Sequence, residues 1–337
     1  ARLAEAKAGG ADLVCLPEEA DLINSEGAIV RLPARGVEGL VELNSKDMPG
    51  VLTAGGTTAY TPADYDLIVL AMQEPQYSSA GVKDLTNAVS ASGIPCMSIM
   101  NMPPLTYLRR FDDIDADALT GSYTDPTVWD SFDPALMTLC SPDPQAFRPP
   151  TEKINVLQVG LPTNFKAARF ESDAHTAILE KLAADVQAIR YDTGDGEIEL
   201  PVKLRVHDSI FTPLAKWAML MAGNYRCVQE DAMRPIKEAV HTDLAATQAV
   251  YEWVVDLCVA LGGERDALVP FEKYANAALS LVNPSSAARA LANGAPNIER
   301  VDRLVQTIAA QKGMQSDAVE EGVRLVDGWI AKNRASA

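Results

Sequence analysis

The stretch DYDLIVLAM, residues 64–72, decides the fold. A continuous apolar run behind an acidic start is how a central strand reads in a parallel sheet whose two faces are covered by helices. Ligands collect at the carboxyl ends of such strands, so Met72, Gln73 and the residues up to Tyr77 are expected to face a cofactor. Downstream, a helix is predicted over about 79–92. It is followed by IPCMSIMNMPP at 94–104, a further strand with Asn101 at its tip. Asparagine before a proline turn also occurs for conformational reasons alone. Upstream, residues 1–10 carry a short helical pattern stopped by Gly9 and Gly10, and an apolar strand is predicted at 12–16. This alternation predicts an α/β fold with a Rossmann-like doubly wound sheet. In a dinucleotide-binding unit of that kind, a first strand and its glycine-rich loop would stand upstream of Ala1, and both are expected to be missing from this sequence.

The strand at 12–16 runs into Leu16-Pro17-Glu18-Glu19, the place where such folds inspect the adenine ribose. Two readings stand. A carboxylate at Glu18 would accept from a ribose 2′-hydroxyl and repel a 2′-phosphate, favouring NAD over NADP. Equally, Glu18 and Glu19 suit the first turn of an exposed helix. Short alternating runs at 29–32 and 39–43 predict further strands. Residues 111–153 show weak periodicity and read as loops and edge elements, with Trp129 and Phe132 as anchors. Strands at 154–160, near 186–191 and at 200–206, with a helix over about 173–185 and a turn at 193–196, complete a first domain spanning 1–208. Beyond it, helical periodicity dominates at 238–261, 271–281, 298–310 and 316–332, giving an all-helical second domain at 209–337.

Composition narrows the function classes. A net charge of −17 without a basic patch disfavours a nucleic-acid backbone or an anionic membrane as partner. No apolar run reaches the length of a membrane span, and no signal peptide is visible. The five cysteines are scattered and odd in number, which reads as free thiols in a reducing, cytoplasmic compartment. Neither they nor the three histidines show metal-site spacing, so no metal is expected.

The segment PLAKWAMLMAGN, residues 213–224, sets a lysine and an asparagine in an apolar helix. Eight positions of an α-helix turn Asn224 only about 80° from Lys216 and raise it about 12 Å, so both can line one cleft. A lysine snorkelling out near a helix start is the plain alternative.

Four segments in order bring a family into view: ADYDLIVLAMQ (63–73), SIMNM (98–102), KWAMLMAGN (216–224) and NPSS (283–286). Together the chain resembles the ketopantoate reductases (2-dehydropantoate 2-reductases) over nearly its whole length. The resemblance implies a Rossmann domain followed by a helical domain of the 6-phosphogluconate-dehydrogenase C-terminal type, with substrate held between them and a possible homodimer. It makes Lys216 the general acid that protonates the substrate carbonyl, and gives Asn224, Asn283 and Ser286 the substrate's polar groups. It sets Asn101, Met72 and Gln73 at the cofactor. The family's late-helix glutamate, aligned on apolar Ile298, Val301 and Val305, falls on Asn297. Gln73 replaces a family lysine, Leu220 a family asparagine, and Glu18 an arginine used for a 2′-phosphate. The implied activity is an NAD(P)-dependent oxidoreductase, with NAD the expected cofactor. It would interconvert a small 2-oxo acid other than ketopantoate and its 2-hydroxy acid. A nucleotide-binding sensor or scaffold that has lost catalysis is the alternative of another class.

Overall fold

The computed structural model describes residues 10–141, 146–160, 163–194 and 196–336. The helical pattern at 1–9 and Asp195 of the predicted turn lie outside them. In chain order the elements are β1 (Gly10–Val14), α1 (Pro17–Glu26), β2 (Ile29–Pro33), β3 (Leu40–Asn44), β4 (Val51–Gly55), β5 (Ile68–Leu70), α2 (Ala80–Ser92) and β6 (Cys96–Ile99). There follow α3 (Leu105–Leu108), β7 (Met137–Ser141), β8 (Ala146–Phe147), β9 (Val156–Val159), β10 (Thr163–Ala168), α4 (Asp173–Ala188), β11 (Arg190–Asp192), β12 (Glu197–Glu199) and β13 (Val202–His207). The remainder is helical: α5 (Lys216–Met219), α6 (Ile236–His241), α7 (Leu244–Ala260), α8 (Phe271–Ala278), α9 (Ser286–Ala292), α10 (Val301–Gln311) and α11 (Asp317–Ser336). The fold is α/β, a Rossmann-like sheet region followed by an all-helical C-terminal region.

The chain forms two compact units, and they are not contiguous in sequence. The first takes Ala1–Leu70, Ala80–Met97 and Ala135–Asp208; the second takes Ala71–Ser79, Ser98–Pro134 and Ser209–Ala337. The segments that follow β5 and β6 therefore belong with the helices rather than with the strands they extend.

In the first unit a five-stranded sheet runs in the order β13-β10-β7-β6-β5, and β1 pairs in parallel with β4. β10 is parallel to β13 and antiparallel to β7, so the sheet is mixed. The run at 64–72 forms a strand only at Ile68–Leu70, because Pro62 opens a 3-10 turn ahead of it and Tyr65 is drawn to the Asp12 carboxylate at 2.5 Å. Residues 111–153 are more than loops and edges. β7 lies inside this span with all five of its residues buried, and its Thr138 hydroxyl donates to the Ala168 carbonyl at 2.6 Å. Trp129 and Phe132 are buried anchors as expected. Helix α4 runs on to Ala188, where a strand was predicted to have begun, and only Arg190–Asp192 is extended. A smaller sheet, in the order β3-β2-β9-β8, packs Leu32, Val41, Leu43 and Val159 into its own core.

In the second unit the predicted helix at 238–261 is broken. Asp243 caps α7 by accepting from the Ala246 amide at 2.9 Å, which ends α6 and restarts the chain in a new direction. Segment 98–134 is held to the helices by Asp115 and Gln311, which exchange two hydrogen bonds at 2.9 and 3.0 Å. Cys96, Cys140, Cys227 and Cys258 are buried thiols outside any disulfide, and Cys15 is a partly exposed thiol. Among the described residues no helix is long and apolar enough to cross a membrane.

Candidate functional site

The segment 212–227 is helical throughout but not of one kind. A 3-10 turn over Thr212–Ala215 leads into α5, a π turn follows over Leu220–Asn224, and a 3-10 turn closes it at Tyr225–Cys227. The uniform α-helix expected from 213–224 is thus replaced at the residues that matter. Tyr274 supplies a physical cause: its hydroxyl donates to the Met219 carbonyl at 3.2 Å, inserting a side chain beside the helix ladder where the π turn begins. Gly223 allows the approach, since a Cβ there would stand 1.9 Å from the Tyr274 hydroxyl oxygen. Such π turns recur at functional sites.

Beside this turn lies an open cavity of about 40 Å3. At roughly 10–15 Å3 per water-sized group, that admits about three such groups, the head of a small molecule. Its polar lining comes from Gln73, Asn101, Asn224, Ser286 and Glu299, while Leu220, Ala287, Ala290, Ile298 and Val301 make an apolar wall with Tyr225 between them. All of these belong to the second unit. Four expected site residues, Gln73, Asn101, Asn224 and Ser286, are therefore brought together.

The NPSS segment seats Ser286 through its neighbour. Ser285 caps α9, accepting from the Ala288 amide at 3.2 Å and donating to the Asn224 carbonyl at 2.8 Å, which ties α9 to the π turn. Asn283 does not line the cavity. It is exposed, and its carbonyl accepts from the Ile236 amide at 3.1 Å. Lys216 is half-buried at the start of α5, one helical turn before Leu220, and stands outside the cavity wall, as does Met72. In the first unit Glu18 is exposed in the first turn of α1, and the neighbouring Glu19 pairs with Arg148 at 2.6 Å.

Asn297 does not line the cavity. Its amide oxygen accepts from Arg334 at 2.5 Å, and Glu299 occupies the cavity wall instead. The apolar positions used for the alignment, Ile298, Val301 and Val305, are indeed buried. Helix α10, however, begins only at Val301, so helical spacing does not extend back to Asn297 and the exposed face there belongs to another residue.

Glu299 is held by three donors. The Asn101 amide and the backbone N–H groups of Glu74 and Met102 all hydrogen-bond to its carboxylate. Its own carbonyl accepts from the Tyr225 hydroxyl at 2.5 Å, and that hydroxyl accepts from the Val301 amide at 3.1 Å. Burial outweighs the three donors and, with the nearby Glu74 carboxylate, pushes the Glu299 carboxyl up to about 7. Glu74 is itself buried and accepts from the Thr124 amide and hydroxyl, both at 2.8 Å. Glu299 thus fastens the segments after β5 and β6 to the helices.

A carboxyl raised on folding binds its proton more tightly in the native state. Its stabilising contribution is complete at pH below the ordinary value of 4.5 and is lost as pH rises through about 7. Glu299→Gln is therefore expected to melt higher than the parent at pH 8 and close to it at pH 4.5 or below, by thermal denaturation at the two pH values. A parent that is the more stable of the two at pH 8 would contradict this account.

No protein-family profile matches the sequence, and no curated protein does. Solved structures do match. A PanE/ApbA family ketopantoate reductase from Ralstonia eutropha superposes with a TM-score of 0.62 at 14% identity, covering 98% of this chain and 94% of that chain. D-mandelate dehydrogenase in ternary complex with NADH and anilino(oxo)acetate gives 0.61 at 12% identity, covering 96% and 91%. A 2-dehydropantoate 2-reductase from Geobacter metallireducens gives 0.59 at 14%, covering 94% and 90%. At these identities the likeness establishes the fold, which is that of the ketopantoate reductases.

Proposed function

We propose that this protein is an NAD(P)-dependent oxidoreductase that interconverts a small 2-oxo acid and its 2-hydroxy acid, with NAD preferred and a substrate other than ketopantoate. The observation that carries the proposal is the meeting of Asn101, Asn224, Ser286 and Glu299 around one small cavity. It occurs on a fold shared with ketopantoate reductases and with a D-mandelate dehydrogenase that binds NADH. Gln73 and Asn101, from the segments after β5 and β6, are neutral hydrogen-bonding residues that fit a nicotinamide ribose beside the cavity. The cofactor, when bound, supplies or accepts the hydride. Asn224 and Ser286 orient the substrate's oxygens, and Lys216 gives a proton to the carbonyl oxygen and stabilises its developing charge. Leu220 offers no hydrogen bond where the related enzymes have an asparagine, which disfavours a hydroxylated substrate such as ketopantoate.

The cofactor preference rests on Glu18. Because Glu19 and Arg148 engage each other, Glu18 is the exposed carboxylate of that turn, and Arg148 is not free for a 2′-phosphate. Screening 2-oxo acids with each reduced nucleotide tests the whole proposal. Turnover of an apolar 2-oxo acid with a lower KM for NADH than for NADPH is expected. Tighter NADPH would overturn the role of Glu18, and a chain that binds nucleotide yet turns over no 2-oxo or 2-hydroxy acid would favour the sensor.

A further inference from the structure

An anionic ligand entering this cavity meets an unusual wall. Among the described residues lining it, none is lysine, arginine or histidine, whereas one is a carboxylic acid. The remaining polar groups are the amides of Gln73, Asn101 and Asn224, the Ser286 hydroxyl, and a Tyr225 hydroxyl already engaged by Glu299 and Val301. The charged group that acts on Glu299 from the turn after β5 is Glu74. Arg300 and Asp302, next along the chain, pair with each other at 2.9 Å, and Arg300 also pairs with Asp327 at 2.7 Å. Two carboxylates sharing a small, half-dry site cannot both remain ionised without a strong upward shift of one of them.

We propose that an anionic 2-oxo acid binds here together with one proton, which Glu299 takes up. The inference rests on the reading of the cavity as a 2-oxo acid site. The proton comes from solvent: ligand anion, Glu299 carboxylate and one proton combine to give a complex with a neutral Glu299. The change converts an acceptor into a donor. A neutral carboxyl has one O–H to offer the ligand's carboxylate and keeps acceptor capacity for Asn101 and the Glu74 and Met102 amides. Protonation therefore removes the repulsion and adds a hydrogen bond without dismantling the brace. It costs little near neutral pH because Glu299 already titrates at about 7.

The test is calorimetric titration of the full chain, saturated with NADH, with oxamate as an unreactive 2-oxo acid analogue, in phosphate and in Tris buffer. The dependence of the heat on buffer ionisation enthalpy gives the protons taken up. With Glu299 at about 7, uptake is expected to be about 0.9 proton at pH 8 and about 0.1 at pH 6, and oxamate affinity should weaken about tenfold from pH 8 to pH 9. Glu299→Gln should bind oxamate with no uptake and a flat pH dependence over the same range. Binding by the parent without proton uptake at pH 8 overturns the proposal and leaves the 2-oxo acid reading intact. No oxamate binding at either pH overturns that reading and the proposal with it. Should Glu299→Gln fail to fold, the parent's uptake at the two pH values decides.

Discussion

Lys216→Ala is expected to lower kcat by on the order of a hundredfold or more while leaving NADH affinity nearly unchanged, because a proton donor to the carbonyl oxygen acts on charge that develops only in the transition state. Lys216→Arg should restore little. A guanidinium stays protonated and its planar bulk displaces the oxygen it would have to serve. The structure sharpens the expectation, since Lys216 stands outside the wall of the small cavity and one turn before Leu220. Its long side chain must therefore reach the carbonyl oxygen from beside α5 rather than from the cavity wall itself. Fluorescence titration of NADH and steady-state turnover on the best 2-oxo acid separate binding from chemistry. Near-full turnover by Lys216→Ala would end the assignment of Lys216 as the acid and, with it, the proposed mechanism.

What the sequence made legible follows from how local each signal is. Helix α2 and strand β6 were visible because each lies in an uninterrupted pattern ended by its own breaker, Gly93 for α2 and the prolines after Met102 for β6. Strands β4, β7 and β10 were not. β4 was hidden among the glycines and prolines around it, β7 has no alternation because both of its faces are buried, and β10 has polar Asn164 and Lys166 among its residues. The family resemblance found most of the cavity, as Gln73, Asn101, Asn224 and Ser286 all line it. It put the acidic position on Asn297, whose side chain pairs with Arg334, whereas the acid lining the cavity is Glu299; alignment on Ile298, Val301 and Val305 assumes helical spacing ahead of Val301, where α10 has not yet begun. The π turn was beyond local pattern altogether. It depends on Tyr274, a residue 50 positions downstream of Asn224, meeting Gly223. Glu299 could have been sought as a lone acid between Ile298 and Arg300 in a segment that must pass the cavity, but only the fold shows that it faces in.

The largest loss of stability is expected where the cavity wall is anchored. Arg300 and Asp302 follow Glu299 directly and form a double-pronged ion pair, with Arg300 Nε to Asp302 Oδ1 at 2.9 Å and Nη2 to Oδ2 at 3.0 Å. Both residues are buried, Asp302 completely. The second face of Arg300 reaches Asp327 on α11 at 2.7 Å, and Arg303 shares that carboxylate at 2.5 Å, so the pair ties the start of α10 to α11. Removing one partner of such a pair leaves a charge buried without compensation, which costs about 3–5 kcal/mol. Arg300→Ala should therefore lower the melting temperature by on the order of 10 °C. It should also weaken oxamate binding, since the turn that aims Glu299 into the cavity ends at this anchor. Replacing both partners with apolar residues, Arg300→Met with Asp302→Leu, should recover most of the stability, because the cost lies in the orphaned charge rather than in the loss of a strong attraction. Arg265→Ala, which breaks an exposed pair with Glu252 and Asp256, is the matched control and should melt close to the parent. If Arg300→Ala melts no lower than Arg265→Ala, the buried pair is not what holds this wall, and the placement of Glu299 must come from its hydrogen bonds with Tyr225, Asn101 and the Glu74 and Met102 amides.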